Sequence, residues 1–144
     1  MIRYLLDVSV LLALHWPRHT AHVKAMQWFH TRGERSFSTC AITQAGFVRI
    51  VTNPTFLEDK ITHEEARQLL DDLTHLHGHV FWDLDVGFLE ATAPLADRIL
   101  GHRQVTDAYL LGLAIHRKGT LATLDRAVRH LAGSDFARHL LVIE

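Results

Sequence analysis

Short apolar runs alternate with longer helix-patterned segments along the whole chain, and that alternation constrains the fold more than any other feature. The runs are IRYLL, SFSTC, HVFWDL, TLATL and HLLVI. Brief apolar, β-compatible stretches bounded by polar or turn residues read as buried strands. Between them, VSVLLALHW reads as a short helix stopped by Pro17. From His19 to about Thr31, residues Ala21, Ala25, Trp28 and Phe29 share one helical face. A third helix is expected from Ala41 to about Thr52, ahead of Asn53–Pro54, with Thr39 as its candidate cap. Thr62-His-Glu-Glu has capping-box form and should open a helix to about Leu76, with Ala66, Leu69, Leu70 and Leu73 inward. The segment Gln104–Lys118 is apolar almost all round, so it belongs between layers. Gly119 ends it, and DRAVRHL supplies a last helix. Strands alternating with helices predict a three-layer α/β/α sandwich around a mostly parallel sheet. A chain of 144 residues suits one domain, 1–144.

Charge and composition narrow the partners. A formal charge of −1 at pH 7 gives no bulk attraction to nucleic acid or membrane, although it leaves room for a local basic rim. No stretch reaches the ~18–20 apolar residues of a membrane span. Arg3 precedes an apolar run, but Asp7 interrupts it and no small-x-small cleavage site comes after it, so a signal peptide is not expected. The single cysteine, Cys40, excludes an internal disulfide and fits a reducing, cytoplasmic setting. The histidines at 15, 19 and 22 and at 75, 77 and 79 invite a metal reading. Pro17 breaks the spacing of the first set, the second alternates around Gly78, and neither has the companions of a zinc site, so polar loop and helix-end roles are expected.

The acids carry the chemistry. Asp7 follows the first apolar run, Asp125 follows TLATL, and Asp107 begins the buried helix. Ligands of open parallel sheets bind beyond the carboxyl ends of the strands, so three chain-distant carboxylates can converge there. Like charges held close raise one another's pKa, and a cation relieves them. Oxygen-only ligands point to Mg²⁺ or Mn²⁺. Any one of the three could instead be a helix N-cap, Asp125 above all.

LLDVSVLLAL, TCAITQAGFVRIVTNP, GHRQVTDAYLLGLAI and LATLDRAV, in that order, resemble the motifs of PIN-domain ribonucleases, and most of all the VapC toxins of bacterial toxin–antitoxin pairs. The resemblance implies a PIN-like fold, a divalent metal, an RNA substrate hydrolysed to 5′-phosphate and 3′-hydroxyl ends, and a VapB-type antitoxin partner. Position by position, Asp7 matches the family's first acid, Asp107 its third and Asp125 its fourth. Ser9, Thr106 and Thr123 match small polar residues beside those acids, from which hydrogen-bonding support is expected. Arg49, Arg103 and Arg126 lie near the motifs and are candidates for gripping RNA phosphates, with surface ion pairs as the plainer alternative. Dehalogenase-type phosphatases need a second Asp where this chain has Ser9, and receiver domains need a Lys after a late strand.

One position departs from the family. The second acid belongs where this chain has Gln44, in TQAGF. Gln keeps the shape and an acceptor oxygen but removes a charge, so three acids favour one firmly held metal over two. Asp85 and Glu90 have no spacing that would bring them in as substitutes. The implied activity is a metal-dependent endoribonuclease, with Gln44 as a neutral ligand or water positioner. The rival is a catalytically impaired PIN-like module that binds RNA or antitoxin. Trp16, Trp28 and Phe29 in the apolar first half offer a face for a homodimer or an antitoxin, though an aromatic stripe at helical spacing is more often core.

Overall fold

Leu5 and Leu6 are both fully buried and, as neighbours in a strand, point to opposite faces of a sheet. Apolar residues on both sides make β1 (Tyr4–Leu6) a central strand. A computed structural model describes residues 1–55 and 61–144, and in it β1 sits between β2 (Phe37–Thr39) and β4 (Thr120–Thr123). β3 (His79–Phe81) lies outside β2, and β5 (Leu140–Val142) outside β4, so the order is β3–β2–β1–β4–β5. Every pairing is parallel; Tyr4 stands opposite both Phe37 and Thr120.

Two apolar clusters cover the two faces. Leu6, Phe37 and Ala122 pack with α1 (Val8–His15), α2 (His22–Thr31), α3 (Ala41–Val51) and α4 (His63–Thr74). Leu5 and Leu121 pack with α5 (Phe88–Thr92), α6 (Val105–His116) and α7 (Val128–Ala132). The fold is therefore the expected α/β/α sandwich, with a sheet that is wholly parallel. Seven consecutive residues of α6, Ala108–Ala114, are buried, which explains its all-round apolar sequence. Among the described residues, no helix is long and apolar enough to cross a membrane.

The capping box of α4 forms as read: Glu65 N–H donates to Thr62 Oγ1 at 3.1 Å and Thr62 N–H to Glu65 Oε1 at 3.2 Å. Thr39 is not the cap of α3. It ends β2, fully buried, and Cys40 takes the cap position, its N–H donating to Thr43 Oγ1 at 3.1 Å. Pattern alone assigns nothing between Asp85 and Arg103, where α5 and a 3₁₀ stretch over Ala93–Arg98 lie. A five-residue helix is too short to show a period, and Pro94 interrupts the turn after it.

The aromatic stripe of the first half is core. Phe29 meets Phe37 edge to face at 5.1 Å, and Trp28 meets Tyr4 in the same manner at 5.2 Å. Exposed large apolar side chains instead concentrate in the second half, at Val80, Phe81, Leu84, Phe88, Leu89, Leu100 and Val105.

Candidate active site

The strand order reverses between β1 and β4: the chain leaves β1 toward β2 and β3, then returns on the other side to β4 and β5. Such a switch point leaves a crevice beyond the strands' carboxyl ends. Asp7 stands immediately after β1 and Asp125 two residues after β4.

Asp7 is the N-cap of α1, with Oδ1 accepting from Val8 N–H at 2.8 Å. Its other oxygen, Oδ2, accepts from Thr123 Oγ1 at 2.7 Å and from Ser9 Oγ at 3.0 Å. Those hydroxyls are themselves oriented: Thr123 Oγ1 accepts from Asp125 N–H, and Ser9 Oγ from Leu124 N–H, both at 3.1 Å. The loop after β4 is thus tied to the carboxylate after β1. Burial nevertheless dominates and raises the Asp7 pKa, the three hydrogen bonds lower it, and Asp125 adds to the rise. A carboxylate that three donors cannot fully compensate is a natural place for a cation.

Asp107 occupies the first turn of α6. Burial, reinforced by the charges of Asp7 and Asp125, pushes its carboxyl up to about 6. Three acids far apart in the chain are therefore close enough to feel one another. Asp125 Oδ1 also accepts from Ala127 N–H at 2.9 Å, so it caps the turn before α7 as well as facing the other acids.

The folded protein holds the Asp107 proton more tightly than the unfolded chain, whose value is 3.8. Protonation thus favours the fold, and the advantage disappears as pH rises from about 4 through about 6. Asp107→Asn should consequently be more stable than the parent at pH 7, by about 1–2 kcal/mol after allowing for partial solvent screening. Urea midpoints at pH 7 and pH 4 check this. The gap should close at pH 4, and a variant less stable than the parent at pH 7 would contradict the strain assigned to Asp107.

Gln44 lies elsewhere on the same sheet edge. Its Nε2 donates to Thr39 Oγ1 at 2.9 Å, and that hydroxyl lies 2.8 Å from His79 Nε2. Because Thr39 Oγ1 accepts from Gln44, its own proton is free for His79 Nε2, and burial lowers the His79 pKa, consistent with a neutral ring accepting it. This chain of three joins α3, β2 and β3, a role different from the helix cap and the metal set in which the sequence places Thr39 and His79. Thr106 is exposed and lines an apolar slot with Ile42, Phe88, Val105 and Tyr109.

Arg126 lies 3.5 Å from Glu144, the plainer of its two alternatives, while Arg49 and Arg103 are exposed. Asp85 pairs with Arg117 at 3.3 Å, just beyond the C-terminal end of α6 and away from Asp107 at its start. Four of the histidines serve the backbone. His15 Nδ1 and His22 Nδ1 donate to Leu11 O and Ala13 O, His75 Nδ1 donates to Asp71 O, and His19 Nδ1 accepts from Ala21 N–H.

The donors at the switch point are all oxygen, which suits a hard divalent cation such as Mg²⁺ or Mn²⁺. Among the described residues, no three His, Cys, Asp or Glu side chains are gathered into a ready ligand cage. Mg²⁺ itself needs only one or two protein carboxylates, with waters or substrate phosphate oxygens completing its set.

Comparison with known proteins gives this geometry a lineage. Residues 4–134 match the PIN domain. Ribonuclease VapC38 of Mycobacterium tuberculosis (strain ATCC 25618 / H37Rv) is 43% identical over 128 residues, 89% of each chain. Ribonuclease VapC39 of the same strain is 39% identical over 130 residues, 90% of this chain and 94% of its own. Among solved structures, VapBC2 from Rickettsia felis, bound to a DNA fragment from its promoter, superposes with a TM-score of 0.62 at 13% identity, covering 90% of this chain and 93% of that one. The family match and the identity to these ribonucleases place it: the chain belongs to the PIN-domain family and, within it, to the VapC ribonucleases.

Proposed function

We propose that this protein is a metal-dependent endoribonuclease that hydrolyses RNA phosphodiester bonds and is held inactive by a cognate VapB-type antitoxin. The observation that carries the proposal is the placement of Asp7 and Asp125 after the two strands of the switch point and of Asp107 in the first turn of α6, near enough for both of their charges to act on it. Asp7, Asp107 and Asp125 would hold Mg²⁺ or Mn²⁺, which when bound would acidify a water and neutralise charge developing on the phosphoryl oxygens. Ser9 and Thr123 orient Asp7 through its Oδ2, fixing the direction in which its carboxylate faces. The exposed Arg49 and Arg103 remain candidates for contact with the RNA backbone. The VapC names of its relatives and the VapBC2 likeness support the ribonuclease and antitoxin parts. A homodimer and a cytoplasmic location belong to the same proposal.

Gln44 supports a second reading, that of an impaired site. Its amide is committed to Thr39, and no fourth charge stands at its position. Single-stranded RNA incubated with antitoxin-free protein and Mn²⁺ separates the two. The enzyme reading expects cleavage that EDTA stops, with Gln44→Glu faster by roughly 10-fold through the added charge. Silence in the parent with cleavage in Gln44→Glu would establish the impaired module. Cleavage indifferent to EDTA would sink the metal mechanism.

A further inference from the structure

An apolar slot of about 400 Å³ opens between Ile42 of α3, Phe88 of α5 and the residues Val105, Thr106 and Tyr109 of α6. Two of its walls are unexpectedly open to solvent, Phe88 being 43% and Val105 40% exposed. Phe88 is not loose. Its ring lies parallel to Tyr109, 8° apart in plane with centroids at 6.3 Å. Tyr109 is anchored in turn, its hydroxyl donating to Val86 O at 2.6 Å. An aromatic face is therefore held in one orientation at the surface, with no charged residue on the slot's lining.

Position decides what such a face is for. Val105 and Thr106 immediately precede Asp107 in the first turn of α6, so the slot and one of the three acids share a turn of helix. Unpaired RNA bases are splayed out and stacked on aromatic side chains by proteins that bind single strands, and such stacking tolerates any sequence because every base has a π-face. A five-residue slot is short for an amphipathic helix, whose contacts recur over several turns. Resting on the ribonuclease reading, we propose that this slot receives an unpaired nucleobase of the RNA strand whose phosphodiester lies at Asp7 and Asp107, with Phe88 as the stacking platform. The lining favours the face of the base over its edge: it is mostly apolar, and of its two hydroxyls Tyr109's already donates to Val86 O, which leaves Thr106 alone to meet an edge.

The test measures binding apart from cleavage. In an Asp7→Asn background, a fluorescein-labelled 12-nucleotide RNA without self-complementarity is titrated by anisotropy against Phe88, Phe88→Ala, Phe88→Leu and Phe88→Trp. The expected result is affinity weakened roughly 10-fold by Ala and by Leu, and restored by Trp. A 12-unit abasic ribose phosphate should bind all four alike. Equal affinity of Phe88 and Phe88→Ala for the RNA overturns the proposal, as does an equal loss on the abasic strand. So does a dimer, detected by sedimentation, that dissociates in Phe88→Ala in step with the lost binding, because the slot is then a surface between copies. Failure of the ribonuclease reading would show separately, as no metal-dependent cleavage by the otherwise unaltered protein.

Discussion

Asp7→Asn is expected to lower metal-dependent RNA cleavage by about 10³-fold or more while leaving the protein at least as stable as its parent. The two halves of that expectation come from different atoms. Asparagine is as good an N-cap as aspartate, so Oδ1 can keep the bond from Val8 N–H. The other end of the side chain becomes an amide, and the Ser9 and Thr123 hydroxyls can turn to accept from it. What disappears is a buried charge whose ionisation burial already opposes. Removing it relieves the fold at neutral pH and removes an anionic oxygen from the cation site. Cleavage rates with Mn²⁺ and urea midpoints at pH 7 check both halves. A variant that loses activity only because it unfolds would refute the separation. One that cleaves at the parental rate would remove Asp7 from the site altogether.

That separation also marks how much is legible in the chain. Asp7 and Asp125 are readable because a carboxylate directly after a buried apolar strand has one sheet edge to go to, while the pairing of β1 with β4 that brings them together comes from the structure. Asp107 is weaker on pattern alone, since an acid in the first turn of a helix is also what the helix dipole favours. Its meaning comes from resemblance, and the structure adds the influence of the Asp7 and Asp125 charges on it. The contact between Thr39 and His79 escapes a reading of the sequence because it spans 40 residues and forms only once β2 and β3 pair. The surface is least legible. Trp16, Trp28 and Phe29 look sticky in sequence but pack into or against the core cluster on one face of the sheet, whereas Phe88 and Leu89, in a five-residue helix without a visible period, are exposed.

The position of α5 also exposes the chain's most severe steric constraint near the site, at Gly112. A β-carbon there would run into the carbonyl oxygen of Ala91 and come within 2.6 Å of its carbonyl carbon. The obstacle is backbone, so no rotamer change can relieve it, and α5 must move away from α6. Gly112→Ala is therefore expected to destabilise the fold by about 2–3 kcal/mol, even though alanine is the better helix former by about 1 kcal/mol. For a domain of this size that is a fall in Tm of roughly 10 °C. Ala91→Gly should not rescue it, because the clash is with the main-chain carbonyl that glycine keeps. Thermal melts of the single and double variants decide the matter, and a Gly112→Ala protein more stable than its parent would mean that the α5–α6 contact is far more yielding than its geometry. Because α5 carries Phe88 and α6 carries Asp107, the same variant should disturb RNA cleavage at temperatures where it is still folded. Gly112 lies on the buried side of α6 and presents no group to a substrate, so that loss would come from the spacing of the two helices alone.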